Sequence, residues 1–410
     1  MTPLDAYQKK LFVFLSVATF FEGYDFLALS QVLPKLMKEM DLTKGQAGLL
    51  VAVINVGTLV AYLLVRAADR WGRRRLLTLT IAGYTLATFA TGFAPNVWVF
   101  AGLQLVGRVF LIAEWAVSMV YAAEEFPAER RGMVIGVIQA FSSLGSIACA
   151  GVAPLLFQTP YGWRSVYFVG IVPLVILAIA RRSLRETKRF AALATARAAA
   201  PERAEERSLF RIWRRGYGKR VLELGLLWSV TYLCTQSAIT FWKEFASSER
   251  GMDDAQSGLA ITVAAVGSMP LVFLSGKLLD KIGRRAGAVC IFGAGALGVF
   301  LCYTLEGQWP LTVALAFGIF GTSGVLPVLN AFTAERFPTE LRGDAFAWAN
   351  NLLGRVGYIA SPLLIGVVAE SIGWGHTMQL ASLALLVALG LIFLMLPETR
   401  GKELEETSRL

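Results

Sequence analysis

Apolar residues in this chain fall in runs of about 20, parted by short polar stretches, and no alternating pattern of the barrel kind interrupts them. A run of that length crosses a bilayer core as a helix, the form that satisfies backbone polar groups inside lipid without help from neighbours. Spans are predicted at about residues 11–37, 46–68 and 76–93. A fourth ends near Glu125-Phe126-Pro127, a fifth runs from Gly132 to about residue 157, and a sixth ends at Arg181-Arg182. From there to about residue 220 the chain is rich in Arg, Ala and Glu. Only Leu209-Phe210-Arg211-Ile212-Trp213 is amphipathic, and contact with lipid headgroups is expected there. Six further spans are predicted at about 221–246, 255–279, 286–305, 309–335, 343–370 and 376–396. The expected fold is an all-α membrane protein of twelve transmembrane helices in two six-helix bundles. The bundles cover 1–182 and 221–397, with a linker at 183–220 and a tail at 398–410.

An internal repeat supports the division. At one constant offset Asp69, Gly72 and Arg73 map onto Asp280, Gly283 and Arg284. At the same offset Glu124, Phe126, Pro127, Glu129, Arg131 and Gly132 map onto Glu335, Phe337, Pro338, Glu340, Arg342 and Gly343, and Gly162-Trp163 onto Gly373-Trp374. Two parallel halves about an axis along the membrane normal follow from six-plus-six connectivity.

Charge changes the picture in one respect. The net charge of +10 would suit nucleic acid, but the 39 Lys and Arg residues lie mostly in the tails, the linker and the loops of one side. The positive-inside rule turns that bias into topology, with both termini cytoplasmic in a cell (inner) membrane, and leaves no reason to expect a nucleic-acid partner. Cys149, Cys234, Cys290 and Cys302 sit in apolar segments without metal-ligand spacing and are expected to be small packing residues; neither a metal nor a cofactor is implied. His376, beside Trp374, reads as interfacial, as do Trp228 and Trp242 near the ends of their span. The first apolar run is too long and too acidic for a cleaved signal and is expected to remain as the first helix.

Glu22 and Asp25 stand inside that run, in Phe20-Phe21-Glu22-Gly23-Tyr24-Asp25-Phe26. An ionisable residue at bilayer depth costs roughly 2.5–3.5 kcal/mol on insertion scales, so such groups face a protein interior or a water cavity. Three residues apart, the two acids share one helix face. The other charges inside spans are Arg108, Glu114 and Arg355. Gly293-x-Gly295-x-x-Gly298 lies within an apolar helix and reads as packing glycine, not as a nucleotide loop. No nucleophile, base and orienting group cluster together, so an enzyme is not expected.

The loop after the second span resembles the major facilitator signature Gly-x-x-x-Asp-Arg-x-Gly-Arg-Arg, with Val65 at the first position. A second copy runs from Gly276 through Asp280 and Gly283 to Arg284-Arg285. Glu22-Gly23-Tyr24-Asp25 is similar to the Asp-Gly-x-Asp of aromatic-acid:proton symporters. Glu114-Trp115 and Pro397-Glu398-Thr399-Arg400 resemble the metabolite:proton symporter and organic-ion branch. The resemblance implies gating contacts from Asp69, Arg73, Asp280, Arg284, Glu125, Arg131 and Arg342, with Asp69 meeting the chain near Gly343 and Asp280 near Gly132. The arginines also serve as topology signals.

In such a fold the first, fourth, seventh and tenth spans line a central cavity, so Asp25 is the first choice for proton coupling and Glu22 the second. Arg108 is a charge partner or substrate ligand; a permanent Asp25–Arg108 pair joining two helices is the structural alternative. Arg355, in Asn350-Asn351-Leu352-Leu353-Gly354-Arg355, offers a fixed planar cation for a carboxylate, unless an internal acid occupies it. Tyr232, Gln236, Asn330 and Asn350 or Asn351 are candidate pocket residues that serve equally well as helix-bridging polar groups. The expected activity is proton-coupled symport of a small organic anion, a monocarboxylate or aromatic acid, by alternating access, with the protein acting as a monomer. A proton-driven exporter, a sugar or organic-cation carrier and a non-transporting sensor are the alternatives.

Overall fold

The computed structural model describes residues 4–173, 175, 176, 185–187 and 210–398, and these are helical almost throughout. The chain forms two compact units, one of Met1–Met40 with Val53–Glu202 and one of Asp41–Ala52 with Arg203–Leu410.

In the first unit α1 (Ala6–Glu39), α3 (Arg73–Thr91), α4 (Val97–Glu125) and α5 (Ala128–Leu156) are full-length helices, joined by most of α2 (Lys44–Trp71) and by the short α6 (Arg164–Phe168), which opens the sixth span. Reciprocal side-chain caps fix the starts of α1 and α2, Asp5 with Gln8 and Thr43 with Gln46, satisfying backbone donors that a helix leaves open. α1 lies along α5 and α3 along α4. Gly23 and Gly145 are why α1 and α5 come so close. A Cβ on Gly23 would strike the Ser142 carbonyl, and one on Gly145 the Phe20 carbonyl. Gly145→Leu is therefore expected to destabilise the purified protein by about 1–3 kcal/mol or more, because the obstructing atoms are backbone. An unchanged thermal midpoint would show that the helices part freely.

The second unit holds α7 (Arg211–Arg214), α8 (Gly218–Thr240), α9 (Trp242–Ser248), α10 (Asp254–Ile282), α11 (Arg284–Cys302), α12 (Gln308–Glu335), α13 (Arg342–Phe346), a π-helical segment at Ala347–Gly354, and α14 (Arg355–Met395). Gly373, at φ 82°, breaks α14 where the repeat places the loop before the last span. Gly295 and Gly298 bring α11 onto the backbone of α12 at Gly321 and Phe317, as expected of packing glycines. Eight stretches among the described residues are long and apolar enough to cross a membrane, the last of them, Arg342–Met395, running through that break. With α3, α8 and the α6 segment they fit twelve spans in two halves.

Three expectations change. Trp228 and Trp242 are not interfacial: both are 1% exposed, and their indoles donate to Thr333 Oγ1 and the Cys302 carbonyl. Trp228 is drawn inward because Gly354 leaves room for it. The amphipathic linker segment, of which Leu209 lies outside the described residues, has protein neighbours as well: Arg211 pairs with Asp344, and Trp213 and Phe210, the latter still 56% exposed, pack on Trp348. Finally, Cys290 is exposed while the other three cysteines are buried.

Candidate functional site

In the first unit the local packing of α1 turns Glu22 and Asp25 toward different neighbours. Glu22, 6% exposed, accepts a 2.7 Å hydrogen bond from Ser142 of α5, while Asp25, 8% exposed, accepts one of 3.2 Å from Thr88 of α3. The other Asp25 oxygen is buried without a partner. Arg108 of α4, 7% exposed, lies with its guanidinium carbon 5.1 Å from the Phe26 ring centre and has one buried terminal nitrogen with no hydrogen-bond partner. Both acids feel its charge, yet neither closes an ion pair with it among the described residues. The permanent Asp25–Arg108 pair is thus absent from this structure.

Glu114 belongs to the same cluster. It is fully buried, accepts a 2.6 Å hydrogen bond from Ser118, and lies within electrostatic reach of Glu22. Its second oxygen and the Tyr84 and Tyr167 hydroxyls are buried without partners. Six residues after Arg108, Glu114 sits about 240° further around α4, yet it still reaches the field of Glu22. The buried glutamate after a run of apolar residues was the signal that could have included it.

In the second unit the π-helical segment ends at Gly354, directly before Arg355. The Arg355 guanidinium carbon lies 4.5 Å from the Tyr358 ring centre and 5.5 Å from that of Tyr232, within cation–π range of both. Its Nε is buried without a hydrogen-bond partner, and no acid pairs with it among the described residues. The Tyr232 hydroxyl donates to Asn350 Oδ1 at 2.9 Å. Gln236 and Asn351 are half-buried and Asn330 is exposed.

The signature loops form twin corners, one in each unit. Gly72 at φ 91° and Gly283 at φ 99° occupy backbone conformations that strain any other residue, and each releases a helix that begins with arginine. Arg73 pairs with Glu124 at 3.3 Å, and Arg284 with Glu335 at 3.0 Å. The carboxylate set against Arg73 is Glu124, which the expected gating set did not include. Glu186 accepts the backbone N–H groups of Arg73 and Arg74, and Glu398 those of Arg284 and Arg285, each placing negative charge at a helix N-terminus. Arg131 and Arg342 donate to carbonyls of their own corners, at Phe126 and at Ala334 and Phe337. The side chains of Asp69 and Asp280 lie outside the described residues. Glu186 was missed, although Arg185-Glu186-Thr187 echoes Pro397-Glu398-Thr399 one residue off the main repeat offset. Arg73→Ala should cost about 3 kcal/mol or more by leaving Glu124 enclosed without its cation, and adding Glu124→Ala should recover part of the loss. Equal, additive losses in thermal unfolding would remove the pair as a brace.

A third constellation was not foreseen. The first turns of α2 belong to the second unit because Gly48 meets Gly366 and Pro362 of α14 backbone to backbone. The Gly45 N–H donates to Glu370, and Lys44 lies 3.4 Å from Glu249, which also accepts the N–H groups of Trp374 and Gly375 beyond the α14 break.

The Major Facilitator Superfamily profile matches residues 15–242 and 224–409, and the chain belongs to that superfamily. It is similar to a probable 4-methylmuconolactone transporter of Cupriavidus pinatubonensis, at 28% identity over 97% of this chain and 92% of that one. It is equally similar to a cis,cis-muconate transport protein of Acinetobacter baylyi, at 28% identity over 90% of each chain. Among solved structures, the inward-open xylose transporter XylE of E. coli aligns with a TM-score of 0.79 at 17% identity over 97% of this chain and 98% of that one, a likeness of fold. The protein is a multi-pass membrane transporter and not an enzyme.

Proposed function

We propose that this chain is a proton-coupled symporter of a small organic anion, a monocarboxylate or aromatic acid, working by alternating access in the inner membrane with both termini cytoplasmic. The observation that carries the reading is Arg355, a permanent cation flanked by the Tyr232 and Tyr358 rings and lacking an acid partner among the described residues. A guanidinium in that setting can form paired hydrogen bonds to a carboxylate, and the tyrosines can hold a flat organic body beside it. The names of the muconate and methylmuconolactone relatives support an organic-acid cargo. Proton coupling is assigned to Asp25 and Glu22, with Arg108 close enough to sense their charge. Losing a proton there creates a negative charge that Arg108 attracts, and gaining one cancels it. Asp69, Arg73, Asp280, Arg284, Glu125, Arg131 and Arg342 remain the proposed gating set, with Glu124 and Glu335 added.

The test uses purified protein in liposomes with an imposed pH gradient, alkaline inside, and labelled cis,cis-muconate, benzoate, xylose and a tetraalkylammonium cation. Accumulation of benzoate beyond that in protein-free liposomes, collapsed by a protonophore, is the expected result. Uptake of xylose or the cation with no carboxylate uptake would overturn the reading.

A further inference from the structure

α7 has four residues, too few to be stable by its own hydrogen bonds, so its place is set by what it touches. Arg211 Nε donates to Asp344 at 2.9 Å and its Nη2 to the Glu340 carbonyl at 2.6 Å, while Arg215 pairs with the Glu340 carboxylate at 2.9 Å. Ile212 is fully buried. Phe210 and Trp213 hold the Trp348 ring from 5.4 and 5.2 Å. Asp344 lies in α13, and Trp348 is the second residue of the π-helical segment that ends at Gly354, directly before Arg355.

A π turn is rare, occurs mostly as a bulge inside an α-helix, frequently at functional sites, and persists where neighbours over-determine it. Three neighbours do so here. The linker aromatics fix Trp348, the Tyr232 hydroxyl fixes Asn350, and beyond the segment Gly357 is pressed against the Ser229 backbone. Relaxation to an α-helix would shift the register by about one residue, roughly 100° of rotation. With Gly357 anchored, that rotation falls on residues 348–354 and pulls Asn350 away from Tyr232, one of the two rings beside Arg355.

We propose that the linker helix is a positioning element for the anion site, its clasp on Asp344, Glu340 and Trp348 holding the π turn that keeps Asn350, Tyr232 and Arg355 in register. The proposal rests on the carboxylate reading of Arg355, and the experiment separates the two.

Full-length protein with its four cysteines replaced by serine would carry one new cysteine, Asn351→Cys or Leu352→Cys, and be labelled in liposomes with N-ethylmaleimide in the absence of any substrate. Arg211→Ala and Trp348→Ala are expected to change the relative labelling rates of the two positions. The exchange Arg211→Asp with Asp344→Arg should restore them. In the background with native cysteines, Arg211→Ala should raise the KM for benzoate uptake roughly two- to thirtyfold, the range for residues that act without touching ligand. Maximal rate should change less, and the charge exchange should recover KM. Unaltered labelling in folded Arg211→Ala and Trp348→Ala proteins overturns the clasp, as does altered labelling with an unaltered KM. Wild-type protein that takes up no carboxylate overturns the Arg355 reading instead, and the labelling comparison still decides whether the clasp holds the π turn.

Discussion

Arg355→Gln is expected to raise the KM for carboxylate uptake by roughly 30-fold or more, the lower end of what removing one partner of a desolvated charge pair costs. Glutamine keeps a polar head of moderate length but removes both the positive charge and the planar fork that faces Tyr232 and Tyr358. Arg355→Lys isolates the second factor. Lysine keeps the charge as a compact, strongly hydrated point, so it loses the paired geometry and most of the stacking on the rings. Its expected effect lies between wild type and Arg355→Gln. If Arg355 merely supported its helix, the two replacements would lower thermal stability together and leave the KM of the folded protein unchanged. That pattern would remove Arg355 from the site.

What the sequence made legible was whatever repeats or whatever is expensive. Hydropathy runs long enough to span lipid gave the fold class, and the recurrence of Asp-x-x-Gly-Arg gave the twin corners at Gly72–Arg73 and Gly283–Arg284, where a positive φ admits glycine readily. Glu22, Asp25, Arg108 and Arg355 were conspicuous because charge inside an apolar span demands a reason. The remaining features depend on tertiary fit. That Glu124 reaches Arg73 depends on where about 100° per residue places it around its helix, which two adjacent glutamates in a sequence do not show. A π turn at Ala347–Gly354 has no composition of its own; it exists because Trp348 and Asn350 are held by residues more than a hundred positions earlier. Trp228 and Trp242 look like belt residues in a linear reading, since the room that Gly354 leaves for Trp228 is visible only once the helices are packed.

Within the first unit, polar neighbours on separate helices hold the acids apart. Ser142 on α5 takes Glu22, Thr88 on α3 takes Asp25, and Arg108 on α4 takes neither. An arginine with no ion pair among the described residues is a different device from a closed ion pair, because a small movement of α1 or α4 would change which acid it attracts. A closed pair would hold one protonation state, whereas under the proposed coupling this arrangement would leave the proton occupancy of the acids responsive to how the helices sit. Glu114, fully enclosed with an unpartnered oxygen, adds a third carboxyl within reach of Glu22.

Asp25→Asn is expected to uncouple transport from protons while leaving carboxylate movement intact. Asparagine has nearly the same shape and its oxygen can still accept from Thr88, so packing between α1 and α3 should be preserved. It cannot bind and release a proton in the transport cycle. In wild-type liposomes a gradient of one pH unit supplies roughly 1.4 kcal/mol per proton, enough for about tenfold accumulation in a one-to-one symporter. The Asp25→Asn protein should reach only the passive level under that gradient, yet still exchange labelled for unlabelled carboxylate across the membrane. Glu22→Gln provides the comparison, since the same loss there would shift the assignment to the acid held by Ser142. Exchange lost together with accumulation would point to a damaged fold, which a thermal melt detects separately. Accumulation that survives in Asp25→Asn and follows the pH gradient as in wild type would end the assignment of Asp25 as the proton site.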